Sequence, residues 1–296
     1  MDWRKLTIAM VGGDRREQEI ARQAALTGAR VQAYGFPWPE GGIPGVTHTA
    51  NAAEAFKGAD VALCPIPGIA PDGALFAPSS PERIIPTRAM LEGMKAPRHI
   101  ILGWADPKLK ALGEELGITF HEYEWDRDLM LLRGPAIVEG MLKVIIENTD
   151  ITIHKSEVCV VGQGTIGFLV TRTLLALGAR VHVVARNKLQ RAEAHAAGAE
   201  SHTLEELIDL APRMDTLISS VPSQIVNRGV LEKLPRHALL VDLAAPPGGI
   251  DRDAAAALGL KFIWARGMGQ RAPVTVGRSQ WSGIRPRIET LFGGKA

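Results

Sequence analysis

Residues 156–185 read SEVCVVGQGTIGFLVTRTLLALGARVHVVA. An apolar run typical of a strand leads into a glycine-rich turn, a helical segment that stops at Gly178, and a second apolar run. This order predicts the first β-α-β unit of a Rossmann-type domain. The turn is Gly162-Gln163-Gly164-Thr165-Ile166-Gly167, a G-x-G-x-x-G pattern. The pattern is weak alone, but between a strand and a helix it indicates a dinucleotide fingerprint.

An earlier stretch repeats the same design. Residues 6–35 read LTIAMVGGDRREQEIARQAALTGARVQAYG. The Val-Gly pair at 11–12 and the Gly-Ala-Arg-Val run at 28–31 both recur 150 residues later, so the two stretches align without a gap. The chain is therefore predicted to contain two related α/β domains.

Further apolar runs alternate with helical segments along the rest of the chain. They cover 61–65, 99–102, 217–221, 238–243 and 261–264. Such alternation predicts parallel sheets with helices on both faces. We therefore predict an α/β fold of two Rossmann-like doubly wound parallel-sheet domains, of which the second binds the dinucleotide.

The length of 296 residues fits two domains of about 150 residues each. We predict an N-terminal α/β substrate domain over 1–133 and a dinucleotide-binding domain over 151–274. An apolar run after Gly134-Pro135 predicts an interdomain helix over 134–150. A last helix over 275–296 is expected to complete the first domain, by analogy with two-domain dehydrogenases.

The composition excludes disordered and fibrous classes, with 46% hydrophobic residues, 22% charged residues and a net charge of +2. No nucleic-acid or membrane partner is expected, since no apolar run approaches the ~20 residues of a membrane span. Cys64 and Cys159 lie apart in apolar segments, which fits a reducing cytoplasm. The eight histidines show no metal-ligand spacing, so no metal site is predicted, and His121 and His237 are weaker catalytic candidates.

The fingerprint glycines have distinct expected roles. Gly162 permits the tight turn, Gly164 lets the backbone approach a pyrophosphate, and Gly167 allows close helix–strand packing. The free amides at the helix start then hold the phosphates. A glycine-rich turn without a ligand is the alternative.

The end of the second strand decides which dinucleotide is expected. Arg186-Asn187-Lys188 stands where an NAD site usually has a carboxylate for the ribose hydroxyls. Two cations suit a 2′-phosphate, so NADP is predicted and NAD is less favoured. The alternative is that Arg186 caps a solvated strand end.

Two further strand ends are expected near the cofactor, because open α/β sheets bind ligands at the carboxyl ends of their strands. They carry Ser220-Val221-Pro222 and Asp242-Leu243-Ala244. Asp242 has two equal interpretations: it lies by the cofactor, or it caps the turn into the run 246–249.

The first stretch has lost the fingerprint, because Asp14 and Glu17 stand where the second stretch has Gly164 and Gly167. A carboxylate there repels and blocks a pyrophosphate, so this domain is not expected to bind a dinucleotide. The loop also carries Arg16, and arginine is the natural bidentate partner of a carboxylate. It is thus either a substrate site or a solvated charged loop.

Several motifs together resemble the A-subunit family of dipicolinate synthase, and they span nearly the whole chain. They are Val11-Gly12-Gly13-Asp14, 135–140, 149–154, the fingerprint, 221–223, 242–244 and 247–249. Asp14, Arg16 and Glu19 match the family pattern GGDxRxxE. The chain departs from the family at Pro246, where the turn usually carries an arginine.

The resemblance implies an NADP-dependent oxidoreductase that oxidises a dihydrodipicolinate-level intermediate to dipicolinate, the calcium chelator of bacterial spores. It implies work with a flavoprotein B-subunit, and a homo-oligomer is expected. Asp14, Arg16 and Glu139 are the catalytic candidates, with Asp14 or Glu139 as base. The substrate carboxylates call for cations, and Arg16, Arg266 and Arg271 are the candidates.

Two other functions compete with this one. The first is a 2-hydroxy acid or amino acid dehydrogenase of related architecture, although the Arg-Glu-His set of the hydroxy acid enzymes is not recognisable. The second is a nucleotide-binding, non-catalytic member of a complex, which the loss of arginine at Pro246 slightly favours.

Overall fold

The computed structural model describes residues 1–70 and 72–293. The strands are β1 (Thr7–Val11), β2 (Arg30–Tyr34), β3 (Val46–His48), β4 (Val61–Leu63), β5 (Arg98–Leu102), β6 (Ile118–Glu122), β7 (Glu157–Val161), β8 (Arg180–Val184), β9 (Glu200–His202), β10 (Thr216–Ser219), β11 (Leu239–Asp242) and β12 (Lys261–Trp264). The helices are α1 (Arg15–Ala25), α2 (Ala52–Phe56), α3 (Arg88–Glu92), α4 (Pro107–Glu115), α5 (Arg127–Asn148), α6 (Thr165–Ala176), α7 (Lys188–Ala196), α8 (Leu207–Leu210), α9 (Arg228–Leu231), α10 (Arg252–Ala257) and α11 (Pro273–Phe292).

The strands form two six-stranded sheets in which every neighbouring pair is parallel. One sheet has the order β3-β2-β1-β4-β5-β6 and the other has the order β12-β11-β10-β7-β8-β9. Each sheet has the doubly wound Rossmann order. Its first three strands are added toward one edge and its last three toward the other, starting beside the first strand. The predicted fold class is confirmed.

The internal repeat appears directly in the elements. β1 and β7, and likewise β2 and β8, have bounds that differ by 150 residues at both ends. The helices between them, α1 and α6, also begin 150 residues apart. The equal spacing means that the same strand–turn–helix–strand geometry is built twice, so corresponding positions of the two turns can be compared one by one.

The chain divides into two compact units. The first comprises Met1–Arg133 and the segment from Ala272 onwards, and the second comprises Gly134–Arg271. The boundary at residue 133 falls inside α5, which begins at Arg127 rather than after Gly134. Pro135 lies within this helix and is itself exposed, although proline is usually confined to the first turn of a helix.

The last helix belongs to the first unit, where α11 packs on α1. A Cβ at Gly277 would lie 2.6 Å from the Cβ of Glu19, so glycine permits this close approach. Trp281 of the same helix lies against Trp3, with ring centroids 6.0 Å apart. The helix begins at Pro273, two residues before the predicted start, and positions 294–296 of the predicted span lie outside the described residues.

Three strands were missed by the pattern of apolar runs: β3, β6 and β9. Each lies at an edge of its sheet and carries polar side chains, such as His48, Thr119 and Glu200. Edge strands are half solvated, so they lack the continuous apolar run of a buried parallel strand. In the described residues no helix is long and apolar enough to cross a lipid bilayer.

Candidate functional site

The glycine turn of the second unit has the geometry that its sequence predicts. Gly162 adopts φ +95°, and a Cβ there would lie 2.4 Å from Val221 Cγ2. A Cβ on Gly167 would lie 2.0 Å from the Gly162 carbonyl oxygen. Both positions therefore require glycine, the first for its conformation and the second for the close packing of α6 on β7.

Gly164 differs from its two neighbours because it faces open space. It is the N-cap of α6, no side chain caps the helix there, and a Cβ on it would meet nothing within 4 Å. The first amides of α6 therefore point to a region that a ligand can enter, at the positive end of the helix dipole. Thr165 and Ile166 are half-buried in the first turn beside it. This arrangement fits a pyrophosphate.

The side chain of Gln163 turns into the protein. Its Oε1 accepts a hydrogen bond of 2.9 Å from Thr171 Oγ1, and the residue is buried. Gln163 can therefore offer a ligand only its main chain. Its side chain instead joins the turn to the body of α6, a role that the fingerprint pattern did not reveal.

Beyond β8, the basic tripeptide is exposed. Arg186 and Lys188 take part in no ion pair among the residues that the structure describes. Asn187 caps α7, since its Oδ1 accepts from the amides of Leu189 and Gln190. Sequence reasoning missed Arg191, whose Nη1 donates at 2.8 Å to the carbonyl oxygens of both Ala185 and Arg186. Arg191 thus fixes the loop that presents Arg186.

The strand end after β10 adjoins the glycine turn. Ser220 Oγ donates to the carbonyl oxygens of Val161 and Gly162, each at 3.3 Å. Val221 is half-buried and Pro222 is exposed. This segment therefore forms one wall of the turn and positions its first glycine.

Asp242, at the end of β11, holds the next turn. Its Oδ1 accepts from the amide of Ala244 at 2.9 Å, and its Oδ2 accepts from Gly249 and Ile250 at 2.7 and 3.2 Å. It is only 1% exposed, and both oxygens are used by the main chain. These contacts are those of a residue that caps the turn into the run 246–249, which is one of the two interpretations of Asp242. Leu243 and Ala244 form the start of that turn.

A cluster of basic and aromatic side chains lies at the end of β12. The guanidinium carbons of Arg252 and Arg266 lie 4.7 and 5.5 Å from the ring centroid of Trp264. The indole Nε1 donates to the Ala244 carbonyl at 3.0 Å, which links this cluster to the turn after β11. Trp264 and Arg252 were not among the predicted site residues. Nothing in their local sequence indicates that they lie close together in the folded chain.

Two predicted site residues pair with each other. Arg271 forms an ion pair with Glu139 of α5, and both side chains are about half exposed. An expected carboxylate-binding arginine and an expected base are thus neighbours in the second unit. A charge-assisted pair of this kind orients both groups and leaves the arginine within reach of a second carboxylate.

The loop of the first unit is buried, which removes the interpretation that it is a solvated loop. Asp14 caps α1, with Oδ1 accepting from the Arg16 amide at 2.9 Å. The Arg16 side chain also donates to both Asp14 oxygens, with Nε to Oδ1 at 2.9 Å and Nη2 to Oδ2 at 2.8 Å. Asp14 and Arg16, both expected in catalysis, therefore hold each other in a bidentate pair.

Glu17 fills the place that corresponds to Gly167. Its carboxylate accepts from the amides of Asp14 at 2.7 Å and Ile66 at 2.8 Å, and the residue is fully buried. A Cβ on Gly13 would lie 2.3 Å from Glu17 Cγ, so the turn closes directly on this side chain. The Asp14 amide, which corresponds to the amide of Gly164 at the open helix start, here donates to the chain's own carboxylate.

Burial raises the pKa of the Glu17 carboxyl to about 7, while the charge of Arg16 opposes that rise. Glu19 behaves differently. Burial acts to raise its pKa, but hydrogen bonds from Arg278, Gln23 and Arg22 together lower it. Since Arg278 belongs to α11, the glutamate of the family pattern ties the last helix to α1 through a contact of 2.8 Å.

The two weaker candidates lie in other pairs. His121 Nε2 lies 3.2 Å from His99 Nδ1 on neighbouring strands, and burial lowers the pKa of His121. His237 Nε2 lies 3.1 Å from Asp215 Oδ1 on an exposed turn. These contacts give neither histidine a partner among the predicted catalytic residues.

Comparison with known proteins places the fold among dehydrogenases. Residues 7–124 match the family model for the N-terminal domain of the dipicolinate synthase A-subunit, and residues 144–260 match the model "Shikimate / quinate 5-dehydrogenase". L-alanine dehydrogenase has a similar fold, with a TM-score of 0.63 and 14% identity over 96% of this chain and 90% of that chain. The class is therefore that of proteins with a dehydrogenase-type fold of two Rossmann-like domains.

Two relatives are similar over nearly their whole length. The dipicolinate synthase A-subunit of Bacillus subtilis (strain 168) is 30% identical over 276 residues, which cover 92% of each protein. The crystal structure of the dipicolinate synthase A-subunit from Bacillus halodurans has a TM-score of 0.88 and 28% identity, covering 96% of this chain and 97% of that chain. The chain belongs to the A-subunit family of dipicolinate synthase, as its motifs predicted.

The raised pKa of Glu17 makes stability depend on pH. Its folded-state pKa of about 7 exceeds the ordinary 4.5, so the stability from this proton is present below about pH 4.5 and is lost as the pH rises through 7. Glu17→Gln removes the titration. We expect the difference in unfolding free energy between wild type and Glu17→Gln, measured with urea, to fall by about 1–3 kcal/mol between pH 5 and pH 7.5.

Glu19→Gln is the matched control. Because the pKa of Glu19 is lowered, this carboxyl is ionised in both states above pH 5. The gap between wild type and Glu19→Gln should therefore stay constant over the same range. A gap for Glu17→Gln that also stays constant, or that widens with pH, contradicts a protonated Glu17 in the folded protein.

Proposed function

We propose that the chain is an NADP-dependent oxidoreductase that forms dipicolinate from a dihydrodipicolinate-level intermediate. The observation that carries the proposal is the open, uncapped start of α6 at Gly164, in a chain of the dipicolinate synthase A-subunit family. An oxidation of this kind needs a dinucleotide held with its phosphates fixed, and that is the group for which this turn is shaped.

The basic strand end supports NADP over NAD. Arg186 and Lys188 are exposed beyond β8, at the position where NAD enzymes use a carboxylate on the ribose. Arg191 holds the loop, so Arg186 is presented from a fixed backbone. A guanidinium matches the geometry of a 2′-phosphate and also stacks on a purine ring.

The proposed reaction requires little from the protein beyond positioning the substrate and the dinucleotide. When bound, the dinucleotide would supply a hydride acceptor, and the substrate ring would lose that hydride and one proton as it becomes aromatic. The chain supplies cations for the two substrate carboxylates and an acceptor for the proton. In our assignment Arg266 and Arg271 bind the carboxylates, and Glu139, beside Arg271, accepts the proton.

Asp14 suits the role of base less well than Glu139. Both Asp14 oxygens accept hydrogen bonds from the buried Arg16 side chain, so a proton would have to displace that pair. Glu139 is about half exposed and has a single cationic partner. We therefore assign Asp14 and Arg16 to shaping the loop of the first unit, rather than to proton transfer.

The missing arginine of the turn has a neighbour that can replace it. Pro246 is exposed in the turn that Asp242 holds, and β11 pairs with β12 so that Asp242 lies opposite Trp264. Arg266 follows two residues after Trp264, and the amide of Ala265 donates to the Asp242 carbonyl at 2.8 Å. A cation therefore remains near the paired ends of β11 and β12, which supports the same dicarboxylate substrate.

A second candidate is a nucleotide-binding protein that is catalytic only with a flavoprotein partner. The specific observation in its favour is Pro246, since a turn without its arginine leaves one carboxylate contact to be supplied from elsewhere. Both candidates share the nucleotide site and differ in whether the isolated chain turns over.

Arg186→Ala tests the choice of cofactor. Loss of a charge-assisted contact to the 2′-phosphate should weaken NADP binding by roughly 10- to 100-fold and leave NAD binding within about 3-fold of wild type. Titration of each dinucleotide by intrinsic fluorescence measures both. Arg180→Ala, at the opposite end of β8, is the control and should change neither. Equal losses for the two dinucleotides would refute NADP selectivity.

Turnover tests the reaction itself. Freshly generated dihydrodipicolinate is supplied with NADP, with and without a flavoprotein partner, and dipicolinate and NADPH are followed together. We expect the two products to appear in equal amounts from this chain alone. Product only with the partner favours the second candidate. No product in either case, with NADP still bound, means that the turn at Pro246 serves another substrate, such as a 2-hydroxy acid or an amino acid.

A further inference from the structure

Three side chains on the edge strand of the second sheet and on the strand beside it bring metal-ligating atoms together. His182 lies in β8, and Glu200 and His202 lie in β9. His182 Nδ1 lies 3.3 Å from His202 Nε2 and 3.4 Å from Glu200 Oε2, and the last two atoms are 4.0 Å apart. It is the only such group of three or more among the residues that the structure describes.

These distances match the edges of a coordination tetrahedron. With metal–ligand bonds of about 2.0–2.1 Å, ligand atoms in tetrahedral zinc sites lie roughly 3.3–3.4 Å apart. Two of the three distances have this value and the third exceeds it by about half an ångström, which a small rotation of the exposed Glu200 side chain removes. The donors therefore need little movement to surround one ion.

A fourth residue orients the buried histidine. Glu157 Oε2 lies 2.8 Å from His182 Nε2, and Glu157 is itself held by Arg180 Nη1 at 2.9 Å. With Nε2–H donating to this carboxylate, Nδ1 of His182 carries the lone pair, and it faces Glu200 and His202. A carboxylate behind a ligating histidine is a recurrent feature of zinc sites.

We propose that His182, Glu200 and His202 bind a divalent transition-metal ion of the zinc type, with Glu157 as the positioning residue. Two imidazoles and one carboxylate suit zinc, whereas calcium and magnesium require oxygen ligands. Three protein ligands leave a fourth position for water. The site goes beyond the proposed reaction and depends on none of its residues.

The ion would act on the strand that presents Arg186. His202 is the last residue of β9, and its carbonyl accepts from the amide of Ala185 at 3.2 Å. Ala185 directly precedes Arg186. A metal that joins β8 to its edge strand therefore stabilises the end of β8 from which the basic tripeptide extends.

The first unit contains a matched pair without the carboxylate. His99 and His121 lie on the neighbouring strands β5 and β6, with ring nitrogens 3.2 Å apart, close to the 3.3 Å of His182 and His202. A histidine pair alone is explained by one N–H···N hydrogen bond. If that were also the whole role of His182 and His202, the two pairs would respond alike to metal.

The test is a titration of zinc into the untagged full-length chain, after treatment with a chelator and dialysis. A competing chromophoric chelator reports affinity and stoichiometry, and thermal unfolding is recorded with and without zinc. Wild type and the control His121→Ala should each bind one ion per chain and unfold at a higher temperature in zinc. His202→Ala and Glu200→Gln should weaken binding by more than ~100-fold, and Glu157→Gln by about 10- to 100-fold.

Glu200→Gln keeps the test decisive if His202→Ala fails to fold, because the Glu200 side chain is 67% exposed. Cobalt adds a signature that a purely structural role does not give, namely the visible bands of tetrahedral coordination in wild type and His121→Ala but not in Glu200→Gln. No bound zinc in wild type, or undiminished affinity in Glu200→Gln, would overturn the proposal.

Discussion

The N–H groups at the start of a helix that follows a central strand need acceptors, and the two units meet this requirement in different ways. In the first unit the chain supplies the acceptors itself, because the Asp14 side chain accepts from the Arg16 amide and the Glu17 carboxylate accepts from the Asp14 amide. In the second unit the corresponding position is Gly167, and Gly164 leaves the helix start open. One fold thus gives a closed copy and an open copy, and the two differ in having Asp14 and Glu17 where the second unit has Gly164 and Gly167.

The closed copy has its own consequences. A buried carboxylate needs compensation, and Arg16 and two main-chain amides provide it, with Asp14 held in turn by Arg16. The Gly13 amide donates to the carbonyl of Phe76, so the main chain covers the turn as well. The turn of the first unit is therefore filled by its own side chains, whereas the corresponding turn of the second unit is open at Gly164.

Much of the fold could be predicted from the sequence. A buried parallel strand has a continuous apolar run, and a repeat at constant spacing shows which elements of the two units correspond. The edge strand β9 could not be predicted, since its three residues are polar and only partly buried. The predicted start of α5 was also wrong, because proline is favoured in the first turn of a helix, whereas Pro135 lies within this one and is exposed.

The candidate site likewise contains residues that could be predicted from the sequence and residues that could not. Gly162 and Gly167 could be predicted because the first needs a left-handed backbone and the second a close packing contact that only glycine allows, whereas Gly164 is recognised from its place in the pattern and meets no steric limit. Pairings between distant segments could not, as with Glu139 and Arg271, or with His182 and His202, whose spacing of 20 residues resembles no metal motif. Strand pairing brings His182 and His202 together and the packing of α5 brings Glu139 to Arg271, and neither contact leaves a pattern in the linear sequence.

The stoichiometry of dinucleotide binding tests the contrast between the two copies most directly. Calorimetric titration of NADP into wild type and into Gly164→Asp measures it, and the aspartate should fold normally because a Cβ at this position meets nothing within 4 Å. The substitution gives the second unit the carboxylate that Asp14 gives the first. We predict one NADP per chain in wild type and none in Gly164→Asp. Two bound per chain, or binding that survives the substitution, would contradict the account.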